Sequence, residues 1–250
     1  MPNLKPAVAA LALAAGAAQA QTPAPPEYNN LIGPAVRSRP AYDGSNSQRT
    51  DLVPILDYER GALFARTVQG VLEGGARTKL GSGLKLGAQL AYEEGRKRSE
   101  SPFLQARNEP DIGVGASAGV HAEYEGKVGP APFVLVARWR QQLQSARGAQ
   151  TDARGTVGVF EKGGFQAAVF AQLTWGTQKS VRTYYGTTGF DPSGGLMNAS
   201  AGVIGSYDLG SRWQLIASLE RRRLEGDAAK SPLAERRSNT VGVMGVAYKF

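Results

Sequence analysis

His121 is the only histidine of the chain and the first residue that could carry out catalysis. A histidine activates a serine for hydrolysis when a carboxylate orients its ring. His121 lies between Gly119 and Glu123 on the polar face of an alternating run, and the sequence assigns it no such partners. We therefore expect a structural histidine and a protein that is not an enzyme. Catalysis through His121 is the less favoured alternative.

The composition also argues against a metal or cofactor site. The chain has no cysteine and no second histidine, so the usual zinc-ligand spacings do not occur. Gly81, Ser82 and Gly83 form a glycine-rich segment, but no helix pattern follows it, as a phosphate-binding loop requires. We expect no cofactor.

Three arginines, Arg138, Arg140 and Arg222, lie on the polar faces of two alternating runs. If these runs are strands of a closed barrel, the guanidinium groups point into its lumen and could favour anions. Alternatively, they pair with Glu123 and Glu220 in a packed interior. We favour the pairing, because a barrel of ten to twelve strands is narrow.

Alternation with a period of two residues runs through most of the chain and predicts β-strands. In the clearest run, Phe133, Leu135 and Trp139 share one face, while Arg138 and Arg140 share the other. Eleven such runs lie at 31–38, 52–58, 62–73, 84–92, 112–124, 133–142, 153–160, 165–175, 198–207, 213–222 and 239–250. An even number places both ends of a barrel on one side of the membrane, so we predict about twelve strands, with ten as the alternative. In the first run, Pro34 indicates an edge-like or terminal position.

The two faces of these runs favour a membrane barrel over a soluble sandwich. The apolar faces begin or end on aromatic residues, as in the interfacial girdles of outer-membrane barrels. The opposite faces are polar and rich in glycine and serine, which suits a small lumen. Long and short connections also mostly alternate. We predict an all-β fold, a transmembrane antiparallel up-and-down β-barrel.

The chain ends on Phe250, with Tyr248 two positions earlier on the same face of the last run. This arrangement resembles the closing strand of bacterial outer-membrane barrels, in which a terminal phenylalanine is part of the insertion signal. We assign Tyr248 and Phe250 to a barrel-insertion signal.

The first twenty residues have the pattern of a cleaved secretory signal peptide. Lys5 supplies the positive charge, residues 7–17 form the apolar run, and Ala18 and Ala20 mark the cleavage site. Residues 21–30 are proline-rich and predict a flexible periplasmic lead-in, which leaves 31–250 for the barrel. We expect export to the outer membrane of a Gram-negative bacterium.

A formal net charge of +8 raises nucleic acid as a partner. The basic residues are scattered over predicted loops and strand ends, without a stripe of interleaved aromatic residues, and the signal peptide removes the protein from nucleic acid. We predict no nucleic-acid binding.

Four segments of the chain carry motifs of one protein family. Residues 183–186 (TYYG) form a tyrosine-rich motif, with Tyr184, Tyr185 and Gly186 as its members. Residues 224–233 (LEGDAAKSPL) form an acidic turn and a Ser-Pro segment. The other two are the ending AYKF and the segment VPILDYE at 53–59. Together these segments resemble the MipA/OmpV family, the MltA-interacting outer-membrane proteins, from whose pattern Thr187 and Lys230 depart.

The resemblance assigns Asp227, Ser231 and Pro232 to the second motif loop. It implies an outer-membrane barrel without enzymatic activity, which some members use as a scaffold that joins a murein lytic transglycosylase to a penicillin-binding protein. The expected partners are outer-membrane lipid and lipopolysaccharide, the barrel-assembly machinery and a periplasmic murein hydrolase or synthase. A small channel with a basic lumen and a surface adhesin are the alternatives.

Overall fold

The computed structural model describes residues 30–68 and 70–250. The predicted signal peptide, with Ala18 and Ala20, and nearly all of the predicted lead-in lie outside the described residues.

The described chain forms twelve antiparallel strands, each paired with the next, and β12 returns to pair with β1. The sheet is therefore a closed up-and-down barrel, as predicted. Its strands are β1 (Leu31–Pro40), β2 (Gln48–Arg60), β3 (Leu63–Val68), β4 (Val71–Leu80), β5 (Leu84–Glu93), β6 (Gly115–Val128), β7 (Ala131–Gln142), β8 (Ala149–Lys162), β9 (Phe165–Gly176), β10 (Gly195–Asp208), β11 (Trp213–Leu224) and β12 (Ser238–Lys249).

Tight turns join the strands at one end of the barrel, which we call the turn end, at 61–62, 81–83, 129–130, 163–164 and 209–212. In one of them Gly163 and Gly164 have φ angles of 61° and 80°. Both values lie in the left-handed region that two-residue hairpin turns require. Asn30 and Phe250 also lie at this end, where their backbones exchange two hydrogen bonds of 3.0 and 3.3 Å.

Longer connections lie at the opposite end, which we call the loop end, at 41–47, 94–114, 143–148, 177–194 and 225–237, together with a short turn at Gly70. Two helices belong to these loops, α1 (Pro102–Ala106) and α2 (Gln178–Tyr185). Neither helix is long and apolar enough to cross a membrane.

The predicted strand at 62–73 is wrong, because two strands occupy this region. A turn at Gly70, with a φ angle of 83°, separates β3 from β4. The region 74–82, predicted as a connection, is mostly β4. The outward positions of β4 include Gly74, Ala76 and Thr78, so its apolar face is too weak to reveal the alternation. The split raises the count from eleven runs to twelve strands.

Two further boundaries differ from the prediction. The run predicted to begin at Ile112 becomes a strand at Gly115, and Ile112 instead pairs with Arg96 in an isolated bridge within the loop. Pro34 does not place β1 at an edge, because β1 has neighbours on both sides. The β1–β12 ladder is nevertheless interrupted there: it pairs Ile32 with Tyr248 and resumes with Ala35 opposite Gly245.

Side chains alternate between the outer surface and the lumen as the sequence predicted. Outward residues such as Leu135, Leu219 and Met244 are 51, 55 and 60% exposed, whereas inward residues such as Arg138 and Glu220 are buried. The aromatic residues of the outer surface are denser at the turn end. There they form the pairs Tyr124–Phe133, Phe160–Phe165, Trp213–Tyr248 and Tyr58–Phe250, with ring centroids 5.2–6.4 Å apart. Tyr92, Trp139 and Trp175 lie toward the loop end.

Candidate functional site

The lumen holds a network of buried charges centred on Glu123, whose side chain is fully buried. Glu123 lies on β6 and accepts hydrogen bonds from Arg66 at 3.1 Å and Arg77 at 3.4 Å. The ammonium group of Lys85 lies 3.6 Å from its carboxylate. Three cations from β3, β4 and β5 therefore share one glutamate.

A second carboxylate, Glu73 on β4, continues the network. It accepts hydrogen bonds from Arg66 Nε at 2.7 Å, Arg138 Nη1 at 3.0 Å and Gln89 Nε2 at 3.0 Å. Arg138 stands on β7, so this ion pair joins two strands that are not neighbours in the sheet. The network thus extends across the lumen from one part of the wall to another.

The three arginines predicted from the sequence all point inward and are all paired. Arg138 contacts Glu73 and Asp152, and Arg140 contacts Glu93 at 3.2 Å and Asp152 at 2.9 Å. Arg222 contacts Glu220 at 3.2 Å and Asp43 at 2.9 Å.

The expected acidic partners were only partly right. Glu220 does pair with Arg222, but Glu123 pairs with Arg66, Arg77 and Lys85 instead. Arg66 and Arg77 lie in the region predicted as one strand and a connection. The alternation places both side chains in the lumen only when this region is divided into the two strands β3 and β4.

His121 is buried beside Glu123 but has no catalytic partner among the described residues. Its ring packs edge-on against Phe64, with the centroids 5.3 Å apart, and both ring nitrogens are buried without a hydrogen-bond partner in the described chain. Within residues 30–68 and 70–250, no group of three histidine or acidic side chains is arranged to hold a metal ion.

The loop end is covered by a cap made of α2 and the loop 225–237. Val181 and Tyr185 of α2 pack with Met197, Leu224 and Ala228 in one buried apolar cluster. A second cluster joins Ala41 and Tyr42 to Leu104 and Leu233. The Tyr42 hydroxyl donates to the Leu233 carbonyl at 3.0 Å, so the first loop is fixed to the last.

The two motif segments predicted from the sequence meet in this cap. Tyr184 and Tyr185 end α2, Gly186 follows it, and the Ser231 hydroxyl donates to the Tyr185 carbonyl at 2.6 Å. Pro232 is exposed beside Ser231. Nothing in the sequence spacing indicated that the two segments would touch, since Ser231 lies 45 positions after Gly186.

Hydrogen bonding and burial shift the pKa values of several groups in the cap. Asp227 accepts from the Ser193 backbone N–H at 2.9 Å and contacts Lys230, and these hydrogen bonds hold its pKa below the ordinary value. Burial raises the pKa values of the Tyr184 and Tyr185 hydroxyls, so both stay neutral.

A cavity of about 230 Å³ lies between the cap and the lumen network. The residues that line it include five arginines and three tyrosines: Arg37, Arg39, Arg96, Arg140, Arg222, Tyr42, Tyr184 and Tyr185. Arg96, on the loop 94–114, donates to the Tyr184 carbonyl at 2.9 Å. The sequence did not distinguish Arg96 from the other basic residues of the loops, because its position depends on how the loops fold together.

The residues of the predicted insertion signal lie at the turn end, away from the cap. The Tyr248 hydroxyl accepts from Arg212 at 2.8 Å, and the Phe250 ring stacks on Tyr58 at 6.4 Å between centroids. Neither contact tests a role in insertion, which stays a prediction.

Comparison with protein families identifies the relatives of this barrel. The model of the family described as MltA-interacting protein MipA matches residues 32–250, which span all twelve strands apart from Leu31. The chain belongs to the MipA family. The MipA match therefore covers both the lumen network and the cap. No curated protein matches the sequence.

Two solved structures are similar to this chain at low sequence identity. The NanC porin is 12% identical, with a TM-score of 0.50, over 88% of this chain and 100% of that chain. The translocator domain of the autotransporter NalP from Neisseria meningitidis is 12% identical, with a TM-score of 0.45, over 88% of this chain and 89% of that chain. The likeness of this MipA-family chain to the NanC porin is one of fold alone.

Proposed function

We propose that this protein is an outer-membrane barrel that acts as an interaction protein for periplasmic peptidoglycan-remodelling enzymes, a murein lytic transglycosylase and a penicillin-binding protein. Membership of a family described as MltA-interacting supports the choice of partner. An outer surface of apolar side chains with an aromatic belt supports the membrane location. Contacts with outer-membrane lipid, lipopolysaccharide and the barrel-assembly machinery follow from that location as further proposals.

The ion pairs that cross the lumen are the observation that favours a binding role over a transport role. Arg66 on β3 reaches Glu123 on β6, and Arg138 on β7 reaches Glu73 on β4. A continuous channel through the lumen would require these ion pairs to separate. Each buried charge costs several kcal/mol when it is left unpaired. We therefore place the binding surfaces at the two ends of the barrel.

The turn end offers a basic surface to the periplasm, the side that short turns face in outer-membrane barrels. Arg60, Lys79, Lys127, Lys162 and Arg212 are exposed at or beside its turns. Glu161 is exposed beside them, while Glu59, Glu125 and Asp208 pair with Arg77, Lys85 and Lys249. This rim suits a partner with an acidic surface.

Site-specific photo-crosslinking in cells tests the proposal. A photoreactive residue at Ser82 or Gly163, both in tight turns, should give adducts that contain a murein hydrolase or synthase. The same residue at Asn46, which is exposed at the loop end, is the control and should not. The variant Lys127→Glu with Lys162→Glu should reduce the adducts several-fold, whereas Lys97→Glu at the loop end should not. The proposal fails if no turn position yields a murein enzyme.

A small channel is the second candidate, favoured by the cavity at the loop end and by the fold shared with a porin. Purified protein in planar bilayers distinguishes the two. We expect no steady conductance, because the lumen network holds the walls together. Stable conductance steps that prefer anions would favour the channel instead.

A further inference from the structure

The loop-end cavity has the size of a small metabolite. Its volume of about 230 Å³ lies just below the roughly 300–1,000 Å³ of sites for drug-sized ligands. Residues of the barrel wall, of the lumen network and of the cap line it together.

The acidic groups in its walls are already neutralised. Asp43 pairs with Arg222, and Asp152 pairs with Arg140. Glu94 pairs with Arg37 and Arg39. These four arginines are therefore committed to carboxylates of the protein itself.

Arg96 is different, because no carboxylate of the described chain lies within ion-pair distance of its guanidinium group. Its side chain is 4% exposed, its Nε is buried without a hydrogen-bond partner in the described chain, and its guanidinium lies 5.8 Å from the Tyr42 ring centroid. Burial lowers the pKa of Arg96 from its ordinary value. Glu109 acts on Arg96 electrostatically from beyond ion-pair distance. An anion in direct contact with the guanidinium group would therefore lower the cost of burying this cation.

The backbone fixes Arg96 in place before any ligand arrives. Its N–H and carbonyl exchange two hydrogen bonds of 2.8 Å with Ile112, and Nη1 is held by Tyr184. A guanidinium held in this way loses little conformational entropy on binding.

A polar group for a second part of the ligand lines the same cavity. Gln172 is buried, and its Oε1 has no hydrogen-bond donor among the described residues. An amide oxygen accepts from a hydroxyl group.

We infer that the loop-end cavity binds a small hydroxycarboxylate of monosaccharide size, a sugar acid, with Arg96 as its counter-cation and Gln172 as an acceptor for a hydroxyl group. One unpaired cation matches a single negative charge, which favours a carboxylate over a phosphate dianion. The site is separate from the turn end on which the proposed interaction with murein enzymes rests.

Isothermal titration of the barrel refolded into detergent micelles tests this assignment, with D-glucuronate as the probe. We expect saturable binding of glucuronate and at least ten-fold weaker binding of neutral D-glucose and of acetate. Arg96→Gln should weaken glucuronate binding at least ten-fold. The matched control Arg107→Gln removes an exposed arginine of the same loop and should leave it unchanged.

Gln172→Leu keeps the volume and the charge of the site, and is the second variant if Arg96→Gln disturbs the cap. It should weaken glucuronate binding several-fold and leave the weak binding of acetate unchanged. The assignment is overturned if glucuronate does not bind at millimolar concentration, if glucose binds equally well, or if neither variant weakens binding in a folded barrel.

Discussion

At the scale of single residues, the interior of this barrel is held by buried and partly buried ion pairs. The sequence predicted that Arg138, Arg140 and Arg222 point inward, because alternation alone decides which face a residue occupies. It could not predict all of their partners. Whether Glu123 meets Arg138 or Arg66 depends on the number of strands and on which walls face each other across the lumen.

Glu123 gives the sharpest test of this network. Glu123→Gln would leave Arg66, Arg77 and Lys85 around a neutral side chain, so we expect the free energy of unfolding to fall by about 3–5 kcal/mol. Urea unfolding in detergent micelles, followed by tryptophan fluorescence, measures the change. Glu161→Gln alters an exposed glutamate at the turn end and should stay within about 0.5 kcal/mol of the unchanged protein. Equal unfolding midpoints for the two variants would contradict the role given to Glu123.

At the scale of elements, the strands were easier to predict than the loops. A strong apolar face made β7, β9 and β11 clear in the sequence, whereas β3 and β4 merged because glycine, alanine and threonine occupy much of the outer face of β4. The cap could not be predicted at all. Its contacts join segments far apart in the chain, and no periodic pattern in the sequence predicts such contacts.

Docking of the last loop on α2 depends on Ser231. Its hydroxyl donates to the Tyr185 carbonyl and accepts from the Leu233 N–H at 3.1 Å, so Ser231→Ala leaves two buried backbone groups without these partners. We expect faster tryptic cleavage after Arg236 and Arg237, with the barrel itself intact. Limited proteolysis of the folded protein measures this local opening. Ser82→Ala, in a turn at the other end, should not change the cleavage rate, and an equal increase in both variants would argue against the contact.

At the scale of the whole molecule, every strand has two neighbours, so the sheet has no free edge. In a closed barrel the backbone N–H and C=O groups of every strand pair with neighbouring strands, and no edge is left unpaired. We expect the folded protein to migrate differently on a gel before and after boiling, with a β-rich circular dichroism spectrum in micelles. A protein that shows no shift and is soluble without detergent would refute the membrane barrel.

Closure of the barrel is the slowest pairing to reach, because β1 and β12 come from opposite ends of the described chain and carry the largest loop-closure entropy. Until they meet, both strands expose unpaired backbone groups to any neighbouring chain. Pro34 has no N–H, and the ladder skips this position even in the closed sheet. β1 therefore has fewer paired positions on its β12 side than on its β2 side. We expect a strand of another protein that pairs temporarily with this side of β1 to dissociate readily, so that Pro34 would help an assembly partner to release the finished barrel.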